Sequence, residues 1–397
     1  MISLGRVAGT DYYTRLHAED YYFQGRHNQG YWQGAGAELL GLSGSVAPET
    51  LARLLDGFSP DGTQALVRNA GSEKRCRGWD VCASASKSLS VLWSQADPAT
   101  RERLEYVHRQ AVDETIHYLE DTAASVRTGA GGSEMHRAKL IVAVFPHHTS
   151  REREPHLHSH AVVINIGLHD GQAHALFSPE LYAQKMTAGS LYRAALARHL
   201  QQDLGLEVER RDGDFYDIKG VPQDLMTVFS SRREAIETML TERAWSSPRA
   251  AATVTLATRP RKREEAQESL LARWHVVGSE YGFGMPEAAQ LVQSAPAFGA
   301  PSWNAAAQAD VFRALRSRLT RQPAFSAKEV VRALALEAPA YALDRSAIEA
   351  LAATFLSADD VYQYAPSRSV LYALSEEDIL LDRSACLAQD QELEWEL

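Results

Sequence analysis

His147-His148-Thr149-Ser150-Arg151-Glu152-Arg153-Glu154-Pro155-His156-Leu157-His158-Ser159-His160 gathers five of the chain's 14 histidines into one short block. On either side lie runs rich in Val and Ile, Lys139 to His147 and Leu157 to Asn165. The polar connector Thr149 to Pro155 between them predicts two neighbouring antiparallel strands. Side chains two apart on a strand share a face, so His158 and His160 point the same way, with Leu157, Ser159 and Ala161 opposite. A strand ending at His147 adds a third imidazole. Three neutral imidazoles converging from two strands make an open metal site, with positions left for water or a substrate. By ligand type alone such a site suits Zn²⁺, Mn²⁺ or Ni²⁺. His148 and His156 read as hydrogen-bonded surface groups without a role in the site.

Working outward, Trp79 to Ser84 is a third candidate strand, and Asp80 on it is placed to hold the second ring nitrogen of a metal-bound histidine, or else to pair with an arginine. Asp97-Pro98 reads as a helix cap with Pro in the first turn, followed by apolar residues at helical spacing from Leu104 to Leu119. Ser178 to Leu204 and Asp224 to Arg243 also read as helices. Pro296 to Pro301 breaks the pattern as a linker, and Asn304 to about Phe355 forms a small Ala- and Leu-rich helical unit. The expected organisation is therefore 1–293 as a main domain, 294–303 as linker, 304–373 as a small helical module and 374–397 as an acidic tail.

The 397 residues are 45% hydrophobic and 23% charged, which fits a soluble globular chain and excludes a disordered or fibrous one. No apolar stretch approaches the roughly 18 residues of a membrane span, and no secretory signal is readable at the start, so a cytoplasmic protein is expected. Cysteines 76, 82 and 386 have neither the number nor the spacing of a disulfide framework, and are expected to be reduced and structural. The net charge of −10 is uneven. From Leu374 to Leu397 eight acids face one base. Of the 41 basic residues only seven are Lys, and the arginine excess suits bidentate phosphate contacts on the rest of the chain.

Two aromatic pairs stand near the start, Tyr12-Tyr13 and Tyr21-Tyr22. A tyrosine hydroxyl is a possible nucleophile toward phosphorus, but its pKa near 10 requires a nearby cation. A metal on three histidines supplies one.

These features occur in a family's order: the two tyrosine pairs, then Trp32-Gln33-Gly34-Ala35-Gly36-Ala37-Glu38-Leu39-Leu40-Gly41-Leu42-Ser43-Gly44, then Gly78-Trp79-Asp80 with Ser84-Ala85-Ser86-Lys87-Ser88, then the histidine block, then Phe229-Ser230-Ser231-Arg232-Arg233. Over roughly residues 1 to 290 the chain resembles the MobF-type conjugative relaxases, the TrwC/TraI class of HUH endonucleases. The resemblance implies a palm-like, ferredoxin-related α+β fold with a central antiparallel sheet flanked by helices. It implies that His147, His158 and His160 hold a divalent cation, Mg²⁺ or Mn²⁺, and that Asp80 orients the triad. Tyr12 resembles the first nucleophile and Tyr21 the one used in a second strand transfer, with Tyr13 and Tyr22 beside them. Arg75, Arg77, Lys87, Arg151, Arg193, Arg232 and Arg233 become candidate DNA-binding side chains. Cys82-Ala83 and Ser86 depart from the residues more usual in that family, Thr-Phe and Pro, and are expected to alter packing more than chemistry.

The implied activity is metal-dependent nicking and rejoining of single-stranded DNA at a plasmid transfer origin, through a 5′-phosphotyrosine. Relaxosome accessory proteins, a coupling protein and a type IV secretion system are the implied partners. A rolling-circle replication initiator, a non-cutting origin-binding protein and a small-molecule metalloenzyme are the alternatives. No Gly-Lys pair of a P-loop occurs, and about 100 residues after the linker are too few for helicase motor domains, so a short form without strand-unwinding activity is expected.

Overall fold

The computed structural model describes residues 1–7, 30–211, 215–242, 267–294, 299, 303–365, 370–375 and 378, without the side chains of 232–237 and 267–268. In chain order the strands are β1 (Ile2–Arg6), β2 (Tyr31–Gln33), β3 (Gly78–Ser84), β4 (Ser125–Thr128), β5 (Glu134–Arg137), β6 (Lys139–Thr149), β7 (Pro155–His169), β8 (Gln172–His174), β9 (Val208–Arg210), β10 (Tyr216–Ile218), β11 (Tyr362–Tyr364) and β12 (Leu371–Ala373). The helices are α1 (Ala35–Leu39), α2 (Pro48–Leu55), α3 (Lys87–Gln95), α4 (Pro98–Ala123), α5 (Pro179–Leu204), α6 (Gln223–Val228), α7 (Ser231–Glu242), α8 (Gln267–Glu280), α9 (Met285–Gln293), α10 (Ala305–Leu319), α11 (Ala327–Glu337) and α12 (Arg345–Leu356).

Five strands form an antiparallel sheet in the order β1-β3-β7-β6-β2, and β8 pairs with β7. The architecture is α+β with a central antiparallel sheet, as the resemblance implies. The sheet's middle strands alternate between two cores. Val81, Ala83, Val142, Val144, Leu157, Ala161 and Val163 pack under α3, α4 and α5. Ile141, Ala143, Phe145, Val162, Ile164 and Ile166 face the other way, onto Ala37, Leu51, Leu54 and Leu55 of α1 and α2.

Helix α4 begins as expected: the Asp97 carboxylate accepts from the backbone N–H groups of Ala99 and Thr100, and Pro98 opens the first turn. The Trp32 to Gly44 block is a packing device. Gly34 has φ +89°, and a Cβ there would lie 2.4 Å from the Leu140 carbonyl oxygen. Only glycine combines that φ with so close an approach. The buried Glu120 carboxylate accepts from the N–H groups of both Ala35 and Leu140, which fixes α1 on β6.

The single helix expected over Asp224 to Arg243 is two helices, α6 and α7. At the break the Lys87 ammonium donates to the Phe229 carbonyl, and the Glu154 carboxylate accepts from the Ser231 N–H at 2.8 Å. Partners from distant segments thus satisfy the backbone groups that a continuous helix would pair internally. Among the described residues after 303 are the helices α10, α11 and α12 and the antiparallel pair β11–β12, which the sequence pattern does not reveal. Their apolar residues, among them Val330, Leu334 and Phe355, are continuous with the core above α4 and α5.

Candidate metal and transesterification site

β6 and β7 meet in a hairpin whose turn, 150–154, carries Arg153 in the left-handed region at φ 62°. His147 pairs directly with His158, and His160 with Phe145 on one side and Cys82 on the other. Directly opposed residues share a face of a sheet, so the three imidazoles converge. Their ring centroids are 5.3 Å apart for His147–His158, 5.3 Å for His147–His160 and 5.1 Å for His158–His160, all edge to face.

Each of two rings is oriented from behind. The His160 Nδ1 lies 2.8 Å from Oδ2 of Asp80, and the His158 Nδ1 lies 2.9 Å from its acceptor, the His156 carbonyl oxygen. With Nδ1 donating, Nε2 carries the ring's lone pair, the form that binds a cation. Burial, reinforced by His156, His147 and His160, holds the His158 imidazolium well below its ordinary pKa, so the ring is neutral. The donor set and its oriented rings fit a divalent cation. A further group shares the face: one ligating atom each of Cys82, His158 and His160 lies within 4.8 Å of the others. Period-two alternation from Asp80 places Cys82 there, a signal present in the sequence.

The turn of the hairpin is tied down by distant elements. The Lys87 Nζ donates to the Pro155 carbonyl at 3.0 Å, and the Trp274 Nε1 and an Arg273 guanidinium nitrogen donate to the Arg153 carbonyl at 3.0 and 3.1 Å. Ser88 and Ser90 accept from the N–H groups of Ile218 and Leu157. The Ser84 to Ser90 stretch is therefore a knot that anchors the histidine hairpin.

Several predicted residues have other surroundings. Lys87 is enclosed by this knot, and burial lowers its pKa. It acts as a strut, and its ammonium is directed at carbonyls rather than outward. Arg75 is buried, donating to the Leu55 carbonyl, the Asn69 side chain and the Asn165 carbonyl. This corrects its expected place among DNA contacts, since its guanidinium faces the interior. Arg77 pairs with Asp56 at 3.0 Å. Arg193 donates to Ser190 and lies over the Phe215 ring, and Arg151 sits half-buried in the hairpin turn. His148, expected at the surface, is buried instead and stacks on Trp93 with centroids 4.7 Å apart, because the strand turns it to the helical side. His156 lies beside His158, with centroids 4.6 Å apart. Cys76 and Cys82 are free thiols. Tyr12, Tyr13, Tyr21, Tyr22 and Cys386, together with the Arg232 and Arg233 side chains, lie outside the described residues. Among the described residues, no helix is long and apolar enough to cross a membrane.

The sequence model of the TrwC relaxase family matches residues 6–280. The chain belongs to this family. It is 34% identical over 299 residues to the multifunctional conjugation protein TraI of Escherichia coli (strain K12), an alignment covering 71% of this chain and 16% of that relative. The chain therefore spans about one sixth of the curated relatives it matches. Among solved structures, the fold is similar to the conjugative relaxase TrwC in complex with oriT DNA. The metal-free structure of that complex has a TM-score of 0.63 and the copper-bound one 0.65, each at 28% identity and covering 72% of this chain and 100% of that one.

Proposed function

We propose that the chain is a cytoplasmic relaxase that nicks and rejoins one strand of single-stranded DNA at a plasmid transfer origin. The observation that carries this reading is the convergence of three imidazoles, two of them oriented from behind, on one sheet face. His147, His158 and His160 would hold a divalent cation, Mg²⁺ or Mn²⁺, which when bound supplies positive charge at a non-bridging phosphate oxygen. Asp80 keeps His160 turned toward that position.

Tyr12 is the proposed nucleophile. Its hydroxyl loses a proton, its oxygen attacks the phosphorus in line, and the bond from phosphorus to the 3′ oxygen breaks. The 3′ oxygen leaves and takes up a proton, while the 5′ phosphate remains esterified to the tyrosine. The phosphodiester energy is kept in that ester, so rejoining needs no ATP. Tyr21 performs the second transfer, with Tyr13 and Tyr22 as neighbours. Supporting this placement, the residues flanking the tyrosine segment pack on the histidine side. Val7 belongs to that core, and Gly30 lies so close to the Phe145 ring that a Cβ would come within 2.6 Å of it. Arg151, Arg193, Arg232 and Arg233 are proposed to contact the DNA backbone, with relaxosome proteins, a coupling protein and a type IV secretion system downstream.

The test is incubation of the chain with single-stranded origin DNA and Mn²⁺, followed by denaturing electrophoresis. A covalent protein–DNA adduct that is abolished by chelator and by Tyr12→Phe, and that persists with Tyr21→Phe, is the expected outcome. Adduct formation undiminished in EDTA would remove the cation from the reading, and DNA mapped to neither tyrosine pair would remove the nucleophile.

A further inference from the structure

Two rows of side chains cross the sheet on its histidine face. Ser3, Cys82, His160 and Phe145 stand in register on four adjacent strands, and Ser84, His158 and His147 form the next row. Cys82 is thus held by backbone pairing against His160, as rigidly as the histidines are held against each other. Its sulfur and a ring nitrogen of each of His158 and His160 lie within 4.8 Å of one another. Donors sharing one tetrahedral Zn²⁺ ion, at about 2.3 Å for sulfur and 2.0–2.1 Å for nitrogen, stand about 3.3–3.6 Å apart, so binding draws the group closer together. His147 brings the third imidazole from the far side.

Three imidazoles alone leave coordination positions open, whereas three imidazoles and a thiolate complete a tetrahedron. The consequence depends on the ion. Hard cations such as Mg²⁺ prefer oxygen and do not recruit sulfur, while Zn²⁺, Co²⁺ and Cd²⁺ do. We propose that Cys82 is a conditional fourth ligand, binding thiophilic divalent ions together with His147, His158 and His160 and closing the site against a phosphate oxygen. The step balances without a redox partner: the hydrated ion gives up water, the thiol gives up its proton to solvent, and a metal–sulfur bond forms. The site then has an open state with a hard ion and a closed, inhibited state with a soft one. This inference rests on the histidine triad of the proposed function, and adds Cys82 to it.

The experiment titrates the full chain with Co²⁺ alone and records its absorption spectrum. Expected is a sulfur-to-cobalt charge-transfer band in the near ultraviolet, with tetrahedral ligand-field bands and one proton released per ion. Cys82→Ser and Cys82→Thr should lose the charge-transfer band while still binding Co²⁺ through nitrogen. Their Zn²⁺ affinity should fall by at least the roughly 10–100-fold that loss of an outer-sphere partner costs. In Mn²⁺-supported adduct formation, added Zn²⁺ should inhibit the parent chain at lower concentration than either variant. Co²⁺ bound with identical spectra in parent and Cys82→Ser would overturn the cysteine's part and leave the triad standing. A charge-transfer band surviving in both variants would assign the sulfur elsewhere and also overturn it. Absence of any Co²⁺ binding, or binding unaffected by His160→Ala, would overturn the triad together with it.

Discussion

β7 sends Ser159 to one side of the sheet and His158 and His160 to the other, and a comparison of the histidines on the two sides is instructive. On the helical side His108, from α4, is fully enclosed. Its Nε2 lies 3.0 Å from the Ser159 hydroxyl and its Nδ1 2.8 Å from the Tyr192 hydroxyl. Both ring nitrogens are thus engaged by neutral partners, and burial, then nearby positive charge, pushes its pKa down to about 3. On the other side the outward nitrogens of His158 and His160 are engaged and their second nitrogens converge. The residue type is the same, yet one histidine completes a hydrogen-bond chain and the others belong to the proposed ligand set. What the second nitrogen faces decides which role each has.

The sharpest way to break this comparison is to remove one ring from each side. His160→Ala should lower adduct formation by about 10³-fold, the upper range for losing a group that stabilises transition-state charge, while DNA binding, spread over many phosphate contacts, changes little. His108→Ala should do the reverse. It leaves the Ser159 and Tyr192 hydroxyls without their buried partner, at about 1–3 kcal/mol each, and should lower the unfolding midpoint while metal affinity stays near that of the parent. Calorimetry beside gel assays of the adduct separates the two; equal loss of activity in both variants would erase the distinction.

A smaller effect tests the orientation from behind. Asp80→Asn preserves shape but weakens the hold on His160, and should reduce metal affinity and nicking about 10–100-fold, measured by Mn²⁺ titration. A further test is in pH. His108 takes up a proton near pH 6.5 when unfolded but only near pH 3 when folded, so between these values the unfolded chain binds more protons. Stability from this group is present above pH 6.5 and lost as pH falls through the window, at about 1.4 kcal/mol per pH unit. Urea unfolding at a series of pH values should show an acid limb that is flatter in His108→Ala than in the parent chain.

Features that rest on local pattern were legible in the sequence. The β6–β7 pairing follows from two Val- and Ile-rich runs around a polar turn, the start of α4 from Asp97-Pro98, and the shared face of His158 and His160 from strand alternation. Features that depend on distant partners were not. Lys87 and Arg75 look like any basic side chain until the fold surrounds them with the carbonyls of Pro155, Phe229, Leu55 and Asn165. The break between α6 and α7 comes from Lys87 and Glu154, which lie far off in the chain. The strands β11 and β12 have three residues each, too few for alternation to register.

All three imidazoles belong to one hairpin, and this bears on the order in which the molecule assembles. Closing a short turn takes microseconds and little chain entropy, whereas β3 must find β7 across more than 70 residues. The ligand set is therefore among the earliest native groupings to form, ahead of Asp80, which arrives only when β3 docks. The hairpin can therefore bring the three rings together before the Asp80 carboxylate that orients one of them is in place.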